Sequence, residues 1–315
     1  MPRPDERGIA LLLTLLVLTL LVALILEFDA EARREYRDAA AFRDNFKANV
    51  LARAAVQAAR GVLQQDFLKD KQTGQFFDAP TDLWAFPITN YPIGDGLLNA
   101  QIEDERGKLN LNDLAAGGDP IARKVKVLRV KRLFELVQVN PDLVDAIVDW
   151  VDQDEVPEAA GAESIYYQSQ HPSYRAANAP LQTLLELRLI KGITPEIIDK
   201  LSKVVTVYPQ EGESRVNMNT ADPLVLQALD PRITQGVATS IVQARPFKTI
   251  QELDRVSSFE AIGKELRLQN IYDIKSDLFL ARMKVGVNEV TRNATVVLRR
   301  DPSTGTGTVL YYRIL

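Results

Sequence analysis

Residues Ile9 to Leu26 read IALLLTLLVLTLLVALIL, a run with no charge, no Gly and no Pro. At about 1.5 Å per residue the run spans roughly 27 Å, enough for the hydrocarbon core of a bilayer. A backbone in lipid must satisfy its own hydrogen bonds, so the run is expected to be helical. Its only polar groups, Thr14 and Thr19, can bond back to the same helix. Arg3 and Arg7 precede it and Glu27, Asp29 and Glu31 follow, which sets the N-terminus on the cytoplasmic side. A secretory signal would carry a small-residue cleavage site after the apolar core. Leu24-Ile25-Leu26-Glu27-Phe28-Asp29 offers none, so the run is expected to remain on the mature chain.

The helical pattern continues past the membrane. From Glu27 to about Asp66 there is no Pro, and the first Gly is Gly61. Phe42, Phe46, Val50, Ala54, Ala58 and Val62 recur at steps of four, with Ala39, Ala55, Ala59 and Leu63 beside them. One apolar face is expected, packed on a later part of the chain. As one rod, residues 9–66 would be about 85 Å long.

From Lys69 to Asp95, repeated Gly and Pro break any helix, and Trp84, Phe86 and Tyr91 are expected to plug the loop. Leu97–Glu103 and Lys108–Asn112 read as a hairpin turning at Glu105-Arg106-Gly107, with a positive φ at Gly107. From Pro120 to about Asn270 short capped segments read as helices, several opened by Pro. Leu278–Val287, Val290–Arg299 and Thr308–Ile314 alternate apolar and polar residues and read as strands. The fold class is therefore α+β: a long N-terminal helix (9–66, with 9–26 in the membrane) on an antiparallel sheet. The sheet comes from 67–119 and 271–315, and an all-helical insertion fills 120–270.

Composition narrows the chemistry. A net charge of −4 argues against gripping a phosphate backbone as the main task. The absence of Cys excludes disulfides and thiolate sites, and the single His171 leaves no basis for a histidine metal motif. No P-loop or Gly-x-Ser-x-Gly element is present, so no enzyme is expected.

A short basic head, Gly8, an apolar helix, an amphipathic continuation and a sheet together resemble a type IV pilin-like protein. Most such proteins carry Glu at the fifth position after the cleaved Gly; here that residue is Leu13. The gap resembles the K class of minor pseudopilins in type II secretion systems. Ile102-Glu103-Asp104-Glu105-Arg106-Gly107-Lys108-Leu109-Asn110-Leu111-Asn112, Asp149-Trp150-Val151-Asp152-Gln153-Asp154, Gly161-Ala162-Glu163 and Val216-Asn217-Met218-Asn219-Thr220-Ala221 resemble it too. The resemblance implies cleavage between Gly8 and Ile9 by a prepilin peptidase, with methylation of the new N-terminus. It implies assembly at the pseudopilus tip with the I and J subunits, and with H as a further candidate. It also implies a single-pass protein of the bacterial inner membrane whose C-terminal domain lies in the periplasm.

Asp149, Asp152, Asp154 and Glu163 crowd the end of one helix and the loop after it. Hard oxygen ligands at this density suit Ca²⁺. Counted from Asp152, Asp154 takes position three and Glu163 position twelve of an EF-hand loop, but Val156 and Pro157 fall where a ligand and a Gly belong, so a true EF-hand is rejected. The K subunits bind calcium in their helical domain, and this stretch is the matching region; a solvated acidic loop is the competing reading.

Leu189–Ile198 and the stretch from Val216 to Leu253 resemble helix-hairpin-helix (SAM-like) units, as found in membrane-anchored DNA receptors. A phosphate-gripping hairpin needs Gly amides with free Lys or Arg nearby. Here Glu196 and Asp199 flank the first, and the second, at Pro231-Arg232-Ile233-Thr234, lacks the glycine pair. No nucleic-acid partner is expected.

Overall fold

The computed structural model describes residues 4–115, 119–210 and 214–315, with the side chains of 4–7 left aside. Arg3 lies outside the described residues, and of Arg7 only the backbone is described.

Helix α1 runs from Pro4 to Thr73, longer at both ends than expected. Ala, Leu, Arg, Glu and Gln carry it, and Gly74 ends it in the left-handed region (φ +70°). Thr14 and Thr19 donate to the carbonyls of Leu11 and Leu16, both at 2.9 Å, so the apolar half exposes no free hydroxyl donor. The remaining elements follow in chain order. They are β1 (Ile88–Ile93), β2 (Gly96–Asp104), β3 (Leu109–Asn110), α2 (Pro120–Leu136), α3 (Leu143–Val151), α4 (Ser164–Gln168) and α5 (Pro195–Leu201). Then come β4 (Val205–Thr206), β5 (Val216–Asn217), α6 (Pro223–Leu229), α7 (Gln235–Gln243), α8 (Glu260–Leu268), β6 (Tyr272–Asp273), β7 (Leu278–Val287), β8 (Val290–Arg300) and β9 (Gly307–Ile314).

Five strands form one antiparallel sheet in the order β1-β2-β7-β8-β9. Strand β7 lies between β2 (Leu98 opposite Val285) and β8 (Met283 opposite Ala294), so the chain leaves the sheet after β2 and returns at β7. One sheet face packs on α1: Phe279, Ala281, Met283, Val285, Ala294, Val296 and Leu298 meet Ala48, Ala52, Ala55, Val56, Ala59 and Leu63. Small alanines let the helix backbone approach the sheet closely. At the start of β7 both faces are covered, because Leu278 joins the core of the helical unit.

Three expectations are corrected. Phe42, Phe46 and Val50 do not pack on the sheet; they are 76%, 64% and 49% exposed. Successive residues of a helix are 100° apart, which puts these three opposite the buried alanine ridge. Leu97–Asn112 is not a hairpin. Strand β2 pairs instead with β1 and β7, while β3 pairs in parallel with β4. Gly107 lacks a positive φ; its place is set by Thr220, whose Oγ1 would lie 3.0 Å from an added Cβ. Finally, the helical unit opens at β3, before residue 120, and closes at β6.

That unit consists of two structural repeats. Each opens with a short strand and two asparagines, Asn110 and Asn112 in the first, Asn217 and Asn219 in the second. In each, the first Asn caps the second: Asn110 Oδ1 accepts from the Asn112 amide and Asn217 Oδ1 from the Asn219 amide, both at 3.0 Å. The second Asn clamps a distant backbone. Asn112 accepts from the Leu181 amide at 2.7 Å and donates to the Leu181 carbonyl at 2.9 Å; Asn219 does the same with Phe247. Leu181 and Phe247 lead into Gln182–Glu186 and Lys248–Glu252, where a Glu carboxylate turns back on the amide of Gln182 or Lys248. Each repeat then closes on a parallel strand, β4 on β3 and β6 on β5.

Candidate functional site

Helix α3 buries nearly all of its residues and ends at Val151, where Asp152 caps it. Its acidic residues Asp145 and Asp149 lie one turn apart and hold the following loop by its backbone. The Asp149 carboxylate accepts the Glu158 amide at 3.0 and 3.2 Å, and Asp145 accepts the Ala160 amide at 3.3 Å. Gly161 passes so close that an added Cβ would fall 1.9 Å from Asp149 Oδ2. Lys191 closes the loop from the other side, donating to the Gly161 carbonyl at 2.9 Å. The loop is thereby folded back on α3, and Glu163, at the start of α4, comes beside Asp152 and Asp154.

Asp152, Asp154 and Glu163 each offer an oxygen within 4.8 Å of the others. Ca²⁺ takes oxygens at 2.3–2.6 Å, so ligands on opposite sides of one ion stand about 5.2 Å apart at most. The set fits an ion of that kind. Asp149 does not join it; its carboxylate serves the loop backbone instead.

The electrostatics point the same way. Glu163 is only 5% exposed, yet among the described residues neither carboxylate oxygen has a hydrogen-bond partner, and Asp152 Oδ1 also has none. Burial, then repulsion from Asp149, Asp152, Glu155 and Asp154, pushes the Glu163 carboxyl up to about 7. Burial likewise raises Asp152, against the pull of Arg123, which donates to Asp152 Oδ2 at 2.6 Å. Orphaned buried oxygens on acidic side chains are costly unless a cation meets them.

Asn178 belongs to this place and was not legible in the sequence. Its Nδ2 donates to the Asp154 carbonyl at 3.2 Å and to Glu155 Oε1 at 3.1 Å, leaving its buried Oδ1 without a partner. Glu155 is engaged by the Ser164 hydroxyl at 2.9 Å.

The hairpin cations are committed within the fold. Lys191 serves the acidic loop, Arg232 pairs with Asp230 and Glu265, and Arg245 donates to the carbonyls of Met218 and Ala221. The DNA-binding alternative is not favoured. His171 is an exposed loop residue.

At the other end of the chain, Gly8 and Ile9 lie on α1, and an added Cβ at Gly8 would meet nothing within 4 Å. The apolar window of α1 has a mean hydropathy of 3.2 and none of it is buried. It is a helix long and apolar enough to cross a membrane.

Family models described as type II secretion system, protein K, match residues 107–210 and 216–274. A type II secretion system protein K of Klebsiella pneumoniae is 33% identical over 76% of this chain and 75% of its own length.

The chain belongs to the type II secretion system protein K family.

The two matched stretches coincide with the two asparagine-opened repeats. A protein K of Pseudomonas aeruginosa is 31% identical over 80% of this chain and 76% of its own length. One from Pectobacterium carotovorum is 26% identical, over 91% and 90%. Among solved structures, a chain of the GspK-GspI-GspJ complex from enterotoxigenic Escherichia coli superposes with a TM-score of 0.72 at 21% identity. The match covers 87% of this chain and 97% of that one, and it shows a common pilin-like fold. The family is a component of a protein secretion system.

Proposed function

We propose that this K-family chain is a minor pseudopilin. It is held in the inner membrane by Ile9–Leu26, with its C-terminal domain in the periplasm. A prepilin peptidase cuts it between Gly8 and Ile9, and it then joins the I and J subunits at the pseudopilus tip, with H as a further candidate. Its role is structural and not catalytic.

The observation that carries this reading is α1 itself. Its alanine ridge is taken by the chain's own sheet, while Phe42, Phe46 and Val50 stand exposed away from it, on the same helix as a wholly exposed apolar segment. A monomer has no use for such a face, whereas a filament of packed N-terminal helices covers it. The named complex in which the structural neighbour was solved supports the choice of I and J. Leu13 in place of an acidic residue leaves the membrane segment uncharged, avoiding a cost of several kcal/mol for a carboxylate in the bilayer. It also suits a subunit with no neighbour above it.

The test is co-expression with a prepilin peptidase, followed by intact-mass measurement of the purified chain. The expected product begins at Ile9, and a chain that keeps Met1–Gly8 overturns the reading. Co-purification of the cleaved chain with I and J tests the assembly.

The acidic loop adds a metal. Asp152, Asp154 and Glu163 would hold a Ca²⁺, with the free Oδ1 of Asn178 as a neutral oxygen beside them. A bound cation would meet both Glu163 oxygens and the Asp152 Oδ1 that Arg123 leaves unpaired, tying the loop to α3 and α4 in a chain without disulfides.

A further inference from the structure

The C-terminal end of α1 is fixed by one buried guanidinium. Arg300, 6% exposed at the end of β8, donates from Nη1 to Asp66 Oδ2 at 3.1 Å. Its Nη2 donates to both Asp78 oxygens, at 2.6 and 2.7 Å, and to the Ser276 carbonyl at 2.8 Å. Its plane lies over the Phe279 ring, 4.9 Å from the centroid. Asp82 stands with Asp66 and Asp78, all three buried, with oxygens within 4.8 Å of one another. Here a cation of the chain, Arg300, sits at the centre of the group. Asp70, one turn beyond Asp66, lines a cavity of about 390 Å³ that opens onto Arg300 between Phe67, Phe76 and Phe77.

The charges do not balance. Facing the knot are Asp66, Lys69 and Asp70 from α1, Asp78 and Asp82 from the following segment, Asp104 from β2 and Arg300 from β8. Lys275 and the Arg106–Asp277 and Arg215–Asp273 pairs stand at the cavity rim. Carboxylates outnumber the cations at the centre, and burial raises their proton affinity further. Burial raises Asp66 and Asp78 against the pull of Arg300, and it pushes Asp70, which has no bond to Arg300, up to about 7.

We propose that the Arg300 knot is a proton-operated latch. In mildly acidic surroundings, a proton neutralises the surplus carboxylate of Asp70 and tightens the hold of the sheet on α1 and residues 74–82; in alkaline surroundings the latch loosens. The sign follows from linkage. Unfolded, Asp70 releases its proton near 3.8; folded, burial beside Asp66 and Asp82 makes it keep that proton to about 7, while Asp66 and Asp78 stay ionised against Arg300. The folded chain thus binds more protons than the unfolded chain across this window. The contribution to stability is complete below about pH 4 and is lost as pH rises toward 8. Because the latch lies at the foot of the long helix, its state sets how firmly that helix is joined to everything beyond it.

The test uses the full chain in detergent, with chelator and in a Glu163→Gln background, so that the acidic loop does not contribute. Asp70→Asn is the informative variant. It places a neutral group where the latch wants a proton, at a partly exposed position with no direct bond to Arg300. Thermal melting is followed by tryptophan fluorescence. The variant is expected to melt about 2–4 °C above its parent at pH 8, by roughly half that at pH 5.5, and together with it near pH 4. A gain that is equal at every pH, or absent at pH 8, overturns the proposal. Hydrogen exchange gives a second reading at the latch. After correction for the intrinsic pH dependence of exchange, the amides of Ser276 and Arg300, bonded to Asp78 Oδ2 and to the Asp277 carbonyl, should be better protected at pH 5.5 than at pH 8. Unchanged protection also overturns it.

Discussion

Glu163 presents two carboxylate oxygens to an interior in which no described donor meets them. Asp152 Oδ1 and Asn178 Oδ1 are in the same position. Four such atoms around one loop amount to a demand for positive charge, and Ca²⁺ is expected to raise the melting temperature of the full chain relative to chelator. At a hundredfold excess over the dissociation constant, one bound ion adds about 2.7 kcal/mol. Asp152→Asn combined with Asp154→Asn should abolish the gain while leaving the melting point in chelator little changed. Equal melting of the parent with and without chelator would sink the idea. Asp152, Asp154 and Glu163 were legible because acidic residues crowd a loop with Pro and Gly. Asp149 stands apart from the three: spacing along the chain does not reveal which carboxylate turns to backbone amides, and here Asp149 accepts the Glu158 amide beside the close pass of Gly161. Asn178 was invisible because its nearness to Asp154 is created by the fold.

The long helix shows how an element can be read correctly in kind and wrongly in orientation. Its length and continuity followed from good helix formers without Pro. Its packing face did not, because α1 has two apolar faces and hydrophobicity favours the aromatic one. The sheet keeps Ala55, Ala59 and Leu63 from the expected stripe but adds Ala48 and Ala52, whose small side chains allow close approach, in place of the aromatics. The two faces should answer differently to mutation. Ala52→Leu forces extra volume into a full contact and is expected to cost about 1–3 kcal/mol of folding stability, measured by denaturant midpoint. Phe46→Asp should stay within about 0.5 kcal/mol of the parent in the same measurement. In pull-down with the I and J subunits, however, it should weaken association at least tenfold, or about 1.4 kcal/mol. If Phe46→Asp assembles normally, the exposed face is not a subunit contact. The misread hairpin at Leu97–Asn112 has a related cause: local turn residues were present, but β7 competes for β2 and wins with a full-length antiparallel register.

Across the whole molecule, two cores meet at a small polar joint. Asp104, at the end of β2, accepts from Asn217 Nδ2 at 2.8 Å, Thr220 Oγ1 at 2.6 Å and the Arg106 amide at 2.7 Å. Asn217 also donates to the Asp78 carbonyl at 3.0 Å, so the opening strand of the second repeat is tied both to the sheet and to the segment that Arg300 holds. The motifs containing these asparagines were legible; that they form a duplicated framework was not, because each Asn finds its partners far along the chain. The joint predicts how the molecule unfolds. Trp84 lies in the core between α1 and the sheet, and Trp150 in the helical core, so single-tryptophan variants report on each separately. With the joint intact, both probes should show one common denaturant transition. Asn217→Ala removes three side-chain hydrogen bonds and leaves Asp104 Oδ2, the Asp78 carbonyl and the Asn219 amide short of a partner, a loss of about 2–4 kcal/mol. It should also separate the two transitions, with the probe in the helical core moving to lower denaturant. Coincident transitions in the variant would mean that apolar contacts such as Leu278, rather than this joint, couple the two cores.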